Sequence, residues 1–160
     1  MLQLQSKLPS QGVTIFSVMT ELAHRLNALN LSQGFPDFPA PTALLEALSQ
    51  ATFEGYNQYP AGDGVLALRE QMAQQFLQRD RLTLDPHAEI TITSGATVAI
   101  FCVIQACIHA DDEVIIFDPS YDSYAPAVHL AGGKSIHIHL EAPTVQVNWQ
   151  KVKDCINAKT

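Results

Sequence analysis

Apolar residues recur along this chain at two spacings, and the change between them predicts its secondary structure. In the first half they follow at intervals of three and four, the repeat of a helix with one buried stripe. We predict helices over residues 14–28, from Thr42 with that residue as N-cap, and from Val65 onwards. The segments 29–41 and 56–64 are rich in glycine and proline and are predicted to be irregular.

The second half alternates predicted strands with predicted helices. Residues 90–93 indicate a first strand, and the continuous apolar run 114–117 is typical of a strand covered on both faces. Between them, residues 97–108 form a helix that is apolar on all sides, so we expect it to be buried. Residues 135–140 alternate, which predicts a strand with one wetter face, and a short helix follows Trp149. This order indicates an α/β fold with a largely parallel sheet.

Composition excludes several classes of function. The chain has 160 residues, is 47% hydrophobic and carries a net charge of −7, which suits a globular domain and argues against nucleic-acid binding. It has no 18-residue apolar stretch and no signal-peptide pattern at its start, so we expect neither a membrane span nor secretion, and predict a cytoplasmic protein. Cys102, Cys107 and Cys155 form no CxxC pair. We expect them to be reduced thiols, the first two in the buried helix.

A short turn between the first strand and the apolar helix is the first candidate site. Gly95 allows close approach of a ligand to the backbone, and the N–H groups at a helix start bind phosphate. Thr97 adds a hydroxyl donor. The alternative is an ordinary turn in which Thr97 only caps the helix.

An aromatic residue follows the next strand. In open α/β sheets ligands bind at the carboxyl ends of the strands, so Tyr121 could stack on a planar ring held by the preceding turn. The alternative is a tyrosine that packs against the end of the sheet. Two such features at adjacent strand ends favour a ligand site more than either does alone.

Several segments together resemble one enzyme family. They are Asn57–Pro60, Leu68–Glu70, the TSGAT turn, DEVIIFDPSYDSYAP, Ala131–Gly133 and Ser32–Phe38. In this order they are similar to class I/II aminotransferases, pyridoxal-phosphate enzymes of fold type I, and most to the branch acting on methionine, kynurenine and glutamine. The resemblance implies the N-terminal part of that α/β fold. Residues 1–40 would be the arm and substrate loop, and residues 41–160 an incomplete large domain.

The resemblance also assigns site residues. The turn that holds the phosphate of pyridoxal 5'-phosphate matches Gly95, Ala96 and Thr97. Tyr121 matches the aromatic residue stacked on the cofactor ring. Tyr59 matches a tyrosine that reaches the phosphate of a neighbouring subunit, which implies a homodimer of the full-length protein. Gly34 matches a glycine near the substrate carboxylate, and Phe35 lies beside the substrate side chain.

The same resemblance places the catalytic groups outside this chain. The Schiff-base lysine, the aspartate that pairs with the pyridine nitrogen and the arginine that binds the substrate carboxylate are expected beyond Thr160. We therefore expect this chain alone to transfer no amino group between an amino acid and a 2-oxo acid. We also expect it to expose apolar surface and strand edges, and to be prone to aggregation.

Other interpretations stay open at this point. One is a non-catalytic remnant or dimerising partner, and another is a small flavodoxin-like domain that binds a phosphorylated ligand. His137 and His139 lie two residues apart on a predicted strand and could form half a metal site, but a solvated strand face is favoured and no metal is predicted.

Overall fold

The computed structural model describes residues 5–9, 12–34 and 36–160. It divides into two compact units, one from Met1–Leu22 with Ser94–Thr160 and the other from Ala23–Thr93. The division after residue 40 that the resemblance implies for the whole enzyme stays a prediction. None of the helices in the described part of the chain is long and apolar enough to cross a membrane.

The described residues form six helices and two strands. In chain order they are α1 (Ile15–Arg25), α2 (Thr42–Phe53), α3 (Leu66–Asp80), α4 (Ala96–Cys107), β1 (Glu113–Asp118), α5 (Tyr124–Leu130), β2 (Lys134–His139) and α6 (Trp149–Cys155). The predicted helices are confirmed, with ends within a few residues of the expected positions. Thr42 is not an N-cap, however: Pro41 occupies that position and Thr42 is the first helical residue.

The strands of the first unit pair in parallel, which confirms the predicted α/β arrangement. The register runs from Glu113 opposite Lys134 to Asp118 opposite His139, so both strands end at the same edge. α5 connects them and packs on the sheet, where Val128 is fully buried and Ile138 nearly so. The carboxyl ends of β1 and β2 therefore lie side by side.

The predicted strand at residues 90–93 is wrong. These residues belong to no strand, although Ile90 is buried and the Ile92 N–H donates to the Asp63 carbonyl at 3.0 Å. A strand requires a neighbouring strand to complete its ladder of hydrogen bonds, and in the described residues the sheet consists of β1 and β2.

The apolar helix α4 is not buried as predicted. It contains no buried residue, and Cys102 and Cys107 are exposed. Within the first unit α4 contacts α5, where the Gln105 amide donates to the Ala127 carbonyl at 2.9 Å. Val98, Phe101 and Val103 are exposed, as the expectation of exposed apolar surface stated.

A buried arginine organises the second unit. Arg69 on α3 is 5% exposed, and its guanidinium donates to the carbonyls of Gly64 and Pro86 at 3.2 and 2.6 Å. It also pairs with the Asp63 carboxylate at 2.8 Å. One side chain thus joins the start of α3 to the loop after its end, a role that the sequence analysis did not identify.

Candidate active site

The predicted phosphate turn forms the start of α4. Gly95 is the N-cap, with φ +83°, a backbone conformation that favours glycine. The N–H groups of the first turn, those of Ala96, Thr97 and Val98, have no acceptor within an α-helix, and within the described ranges no side chain caps this one. The helix dipole places partial positive charge at the same point. This helix start therefore suits an anion, which would accept hydrogen bonds from these N–H groups.

The space around this turn is open. A Cβ built on Gly95 would meet nothing within 4 Å, and the residues from Ser94 to Thr97 are exposed. The Gly95 backbone is therefore open to close approach on the side where a Cβ would lie. The turn accordingly fits the phosphate group of a cofactor in both charge and space.

Tyr121 lies directly beside this turn. Its hydroxyl oxygen is 3.0 Å from Thr97 Oγ1, although the two residues are 24 positions apart in the chain. The Tyr124 ring packs edge-on against the Tyr121 ring, with centroids 5.8 Å apart. Tyr121 is 43% exposed, so part of its ring remains available to a ligand. The structure thus brings together the two features that the sequence placed at adjacent strand ends.

The other predicted site residues lie elsewhere. Gly34 and Tyr59 belong to the second unit, where Gly34 is exposed and Tyr59 is 100% exposed. Phe35 lies outside the described residues. The roles that the resemblance gives to these three residues stay predictions.

A carboxylate and two histidines share the strand ends next to Tyr121. Asp118 Oδ2 lies 2.6 Å from His137 Nδ1 and 3.7 Å from His139 Nδ1, and Ser120 Oγ donates to Asp118 Oδ1 at 3.2 Å. No group of three or more metal-ligating side chains occurs in the described part of the chain. The sequence pattern placed both histidines on one strand face but did not indicate that they share a carboxylate.

Two clefts adjoin the turn and the tyrosine. The larger, about 620 Å³, runs from Thr97, Val98 and Phe101 of α4 to Val13 and Ile15 at the start of α1. The smaller, about 490 Å³, lies between Ile104 of α4 and the β1 residues that precede Tyr121. Both are lined mainly by apolar side chains, so the turn sits at the rim of apolar surface.

The fold is α/β, and an open helix start at Gly95–Thr97 lies beside Tyr121 in the loop after β1. A family model described as aminotransferase class I and II matches residues 27–160. The chain therefore belongs to the class I and II aminotransferases, as its sequence motifs predicted. The enzymes of this class use pyridoxal 5'-phosphate, whose phosphate and planar ring correspond to the two features of the site.

Individual relatives narrow the comparison. The methionine aminotransferase of Escherichia coli (strain K12) is 46% identical over 98% of this chain and 40% of its own length. Kynurenine–oxoglutarate transaminase 3 of Mus musculus is 38% identical over 81% of this chain and 29% of its own. The chain spans about 40% of the length of the first of these relatives.

Solved structures give the same result. The structure of YbdL from Escherichia coli, for which a methionine aminotransferase function was identified, superposes with a TM-score of 0.94 at 46% identity. The superposition covers 99% of this chain and 42% of the YbdL chain. N-succinyldiaminopimelate aminotransferase from Mycobacterium tuberculosis gives a TM-score of 0.89 at 33% identity, again with 99% and 42% coverage. The described fold is that of the N-terminal portion of these enzymes.

Proposed function

We propose that this chain forms the phosphate seat and ring cover of an aminotransferase that moves an amino group from an amino acid to a 2-oxo acid. The observation that carries the proposal is the 3.0 Å contact between Thr97 Oγ1 and Tyr121 OH. It joins the anion-binding start of α4 to an aromatic side chain. A phosphate bound at the helix start would therefore hold its attached ring beside Tyr121.

Each site residue then has a binding or orienting role. The backbone of Gly95 and Ala96 approaches the phosphate, Thr97 adds its N–H and hydroxyl, and Tyr121 covers the ring. When bound, pyridoxal 5'-phosphate supplies the electron sink that amino-group transfer requires. These residues offer affinity and orientation but no group that moves a proton at the substrate carbon. The chain by itself is therefore proposed to bind the cofactor without catalysing transfer.

The substrate is proposed from the resemblance and the relatives. Gly34 is proposed to lie near the substrate carboxylate and Phe35 beside its side chain. The similar enzymes carry the names of methionine, kynurenine and N-succinyldiaminopimelate aminotransferases. We therefore propose a methionine-like, or an aromatic or glutamine-like, amino acid as the donor, in a cytoplasmic enzyme whose division falls after residue 40.

A homodimer completes the proposed site. Tyr59 is fully exposed within its unit, although a tyrosine ring is largely apolar. We propose that it reaches the cofactor phosphate of a neighbouring subunit. Each site would then take its phosphate turn from one subunit and a tyrosine hydroxyl from the other.

Calorimetric titration with pyridoxine 5'-phosphate tests the seat, because this probe has the ring and phosphate but no aldehyde to react with lysines. Gly95→Ala strains the backbone at the seat and is expected to weaken binding at least about tenfold. Gly55→Ala is the matched control: its φ is +94°, its surroundings are equally open and it lies in the other unit. It should bind like the unaltered chain.

Three results would contradict the proposal. Equal binding by the two glycine variants would show that the turn is not the phosphate site. Tighter binding of flavin mononucleotide than of pyridoxine 5'-phosphate would favour the flavodoxin-like alternative. A folded chain that binds neither probe would favour the non-catalytic remnant.

A further inference from the structure

We infer that His137 is a positioning residue for the proposed cofactor site: it holds Asp118, and through Asp118 the loop that places the Tyr121 ring. This inference rests on the proposed function, because a held ring matters only if a ligand stacks on it. The bond described for His137 goes to Asp118, so its effect on the tyrosine would be transmitted through that carboxylate.

The first step is the bond between β2 and β1. His137 Nδ1 lies 2.6 Å from Asp118 Oδ2, and since a carboxylate only accepts hydrogen bonds, Nδ1 donates. The Asp118 side chain is 23% exposed, and its backbone carbonyl accepts the Leu140 N–H at 2.8 Å. The last residue of β1 is therefore tied through its side chain to β2 and through its backbone to the residue that follows β2.

The second step passes from Asp118 into the loop. Its other carboxylate oxygen accepts the Ser120 hydroxyl at 3.2 Å, one residue before Tyr121. Farther on, the Tyr121 carbonyl accepts the Tyr124 N–H at 3.3 Å. The loop is thus held before the tyrosine by Asp118 and after it by the first turn of α5, and Thr97 holds the hydroxyl at the far end of the ring.

His139 supplies an internal comparison. It lies on the same strand face as His137 and points its Nδ1 at the same Asp118 oxygen, but at 3.7 Å, beyond hydrogen-bond distance. Its side chain is 80% exposed, against 40% for His137. On a merely solvated strand face both histidines would have similar surroundings. The distances to Asp118 instead assign the positioning role to His137 and not to His139.

Charge gives a second reason for the bond. Asp118 places a negative charge next to the loop that is proposed to cover an anionic ligand. The His137 N–H donor on Oδ2 offsets part of that charge and, with the Ser120 hydroxyl on Oδ1, holds the carboxylate in place. Loss of the donor would therefore free the carboxylate to turn, and the loop with it.

Titrations with two probes test the inference, using inorganic phosphate for the seat alone and pyridoxine 5'-phosphate for seat and ring together. His137→Leu removes the donor. It is expected to weaken the binding of pyridoxine 5'-phosphate about tenfold and to change the affinity for inorganic phosphate less than about twofold. His137→Asn places an amide N–H near the position of Nδ1 and should restore most of the affinity. His139→Leu should leave both affinities unchanged.

Several outcomes would overturn the inference. One is an equal loss of affinity for both probes in His137→Leu, which indicates a merely structural role. Another is an equal effect of His137→Leu and His139→Leu, and a third is no recovery of affinity in His137→Asn. If the unaltered chain binds neither probe, the proposed function fails separately. Amide exchange then still decides the inference, because His137→Leu should speed exchange of the Tyr124 N–H and His139→Leu should not; no difference between them would refute it.

Discussion

The hydroxyl oxygens of Thr97 and Tyr121 lie 3.0 Å apart, so the first turn of α4 and the loop after β1 share one hydrogen bond. The ring position therefore depends on a side chain that also faces the proposed phosphate. Substitutions at these two residues should consequently not act independently on ligand binding.

A double-mutant cycle measures this dependence. We expect Tyr121→Phe and Thr97→Val each to weaken the binding of pyridoxine 5'-phosphate. The double variant should lose less binding free energy than the sum of the two single losses, with a coupling of about 0.5–1.5 kcal/mol. Calorimetry of the four chains gives the coupling. Tyr121→Phe should leave inorganic phosphate binding unchanged, and strictly additive effects would show that the bond does not influence the ligand.

The second unit should be sensitive to a single methyl group at Gly64. This glycine has φ +98°, and an added Cβ would lie 2.6 Å from the Ile92 Cβ. Gly64→Ala therefore combines backbone strain with a steric clash and should lower the free energy of unfolding by about 2–4 kcal/mol. Exchange of the Ile92 amide, which donates to the Asp63 carbonyl, reports the loss.

Gly55→Ala separates strain from clash. Gly55 has a similar positive φ but open space around it, so Gly55→Ala should lower the free energy of unfolding by only about 1–2 kcal/mol. Equal losses in the two variants would show that the Ile92 contact relaxes at no cost.

The pair formed by Asp111 and Lys134 predicts a dependence on acid pH. The Lys134 ammonium, 2.8 Å away, donates a hydrogen bond that lowers the pKa of the Asp111 carboxyl. A lowered pKa in the folded state gives stability that is present above the unfolded pKa and is lost as the pH falls through the folded value. The loss should therefore occur below about pH 4.

Carboxyl chemical shifts followed through an acid titration test this prediction. In Lys134→Met the pKa of Asp111 should rise toward its ordinary value. Lys153→Met, which changes a lysine on α6, should leave that pKa where it is. An unchanged Asp111 pKa in Lys134→Met would mean that the ion pair does not persist in solution.

The exposed apolar side of α4 predicts self-association. Val103 faces outward on a helix without charged residues, so the chain should sediment as larger species with increasing concentration. Val103→Lys should shift the equilibrium toward the monomer, and Phe53→Lys, at an even more exposed apolar position on α2, should shift it less. A concentration-independent monomer would contradict this, and binding titrations should use dilute protein.

Mixing two defective chains tests the proposed role of Tyr59. A Gly95→Ala subunit has a damaged seat but an intact Tyr59, and a Tyr59→Phe subunit has the reverse. In mixed homodimers one site receives both intact parts, so re-equilibrated mixtures should regain about a quarter of the tight pyridoxine 5'-phosphate sites. Tyr59→Phe should bind normally if the tyrosine serves no second subunit, and mixing would then change nothing.

The helices and the parallel strands follow from residue spacing, since each depends on local periodicity. The predicted strand at Ile90 failed because spacing does not reveal whether a neighbouring strand is present. The expected burial of Cys102 failed for a related reason: an apolar helix shows that cover is favourable, not that the chain supplies it.

The candidate site was predicted in part. The expected nearness of Thr97 and Tyr121 is observed, although only Tyr121 follows a strand: the strand on which the prediction relied for Thr97 is absent from the described residues. The roles of Arg69 and His137 were not predicted, since their partners are backbone carbonyls and a carboxylate that no sequence spacing marks. Gly34, Phe35 and Tyr59 keep the roles that the resemblance implies, as predictions.

The short separation between Thr97 and Tyr121 also has a consequence for the order of folding. Twenty-four positions separate these residues, whereas 44 separate Glu113 from Asn157, whose side chains join the beginning of β1 to the chain after α6. Closing the shorter loop costs less chain entropy, and local contacts form faster than distant ones. During synthesis Thr97 and Tyr121 would thus meet before Asn157 is available to Glu113, and a growing chain could hold a cofactor while the segment that carries Asn157 is still being translated.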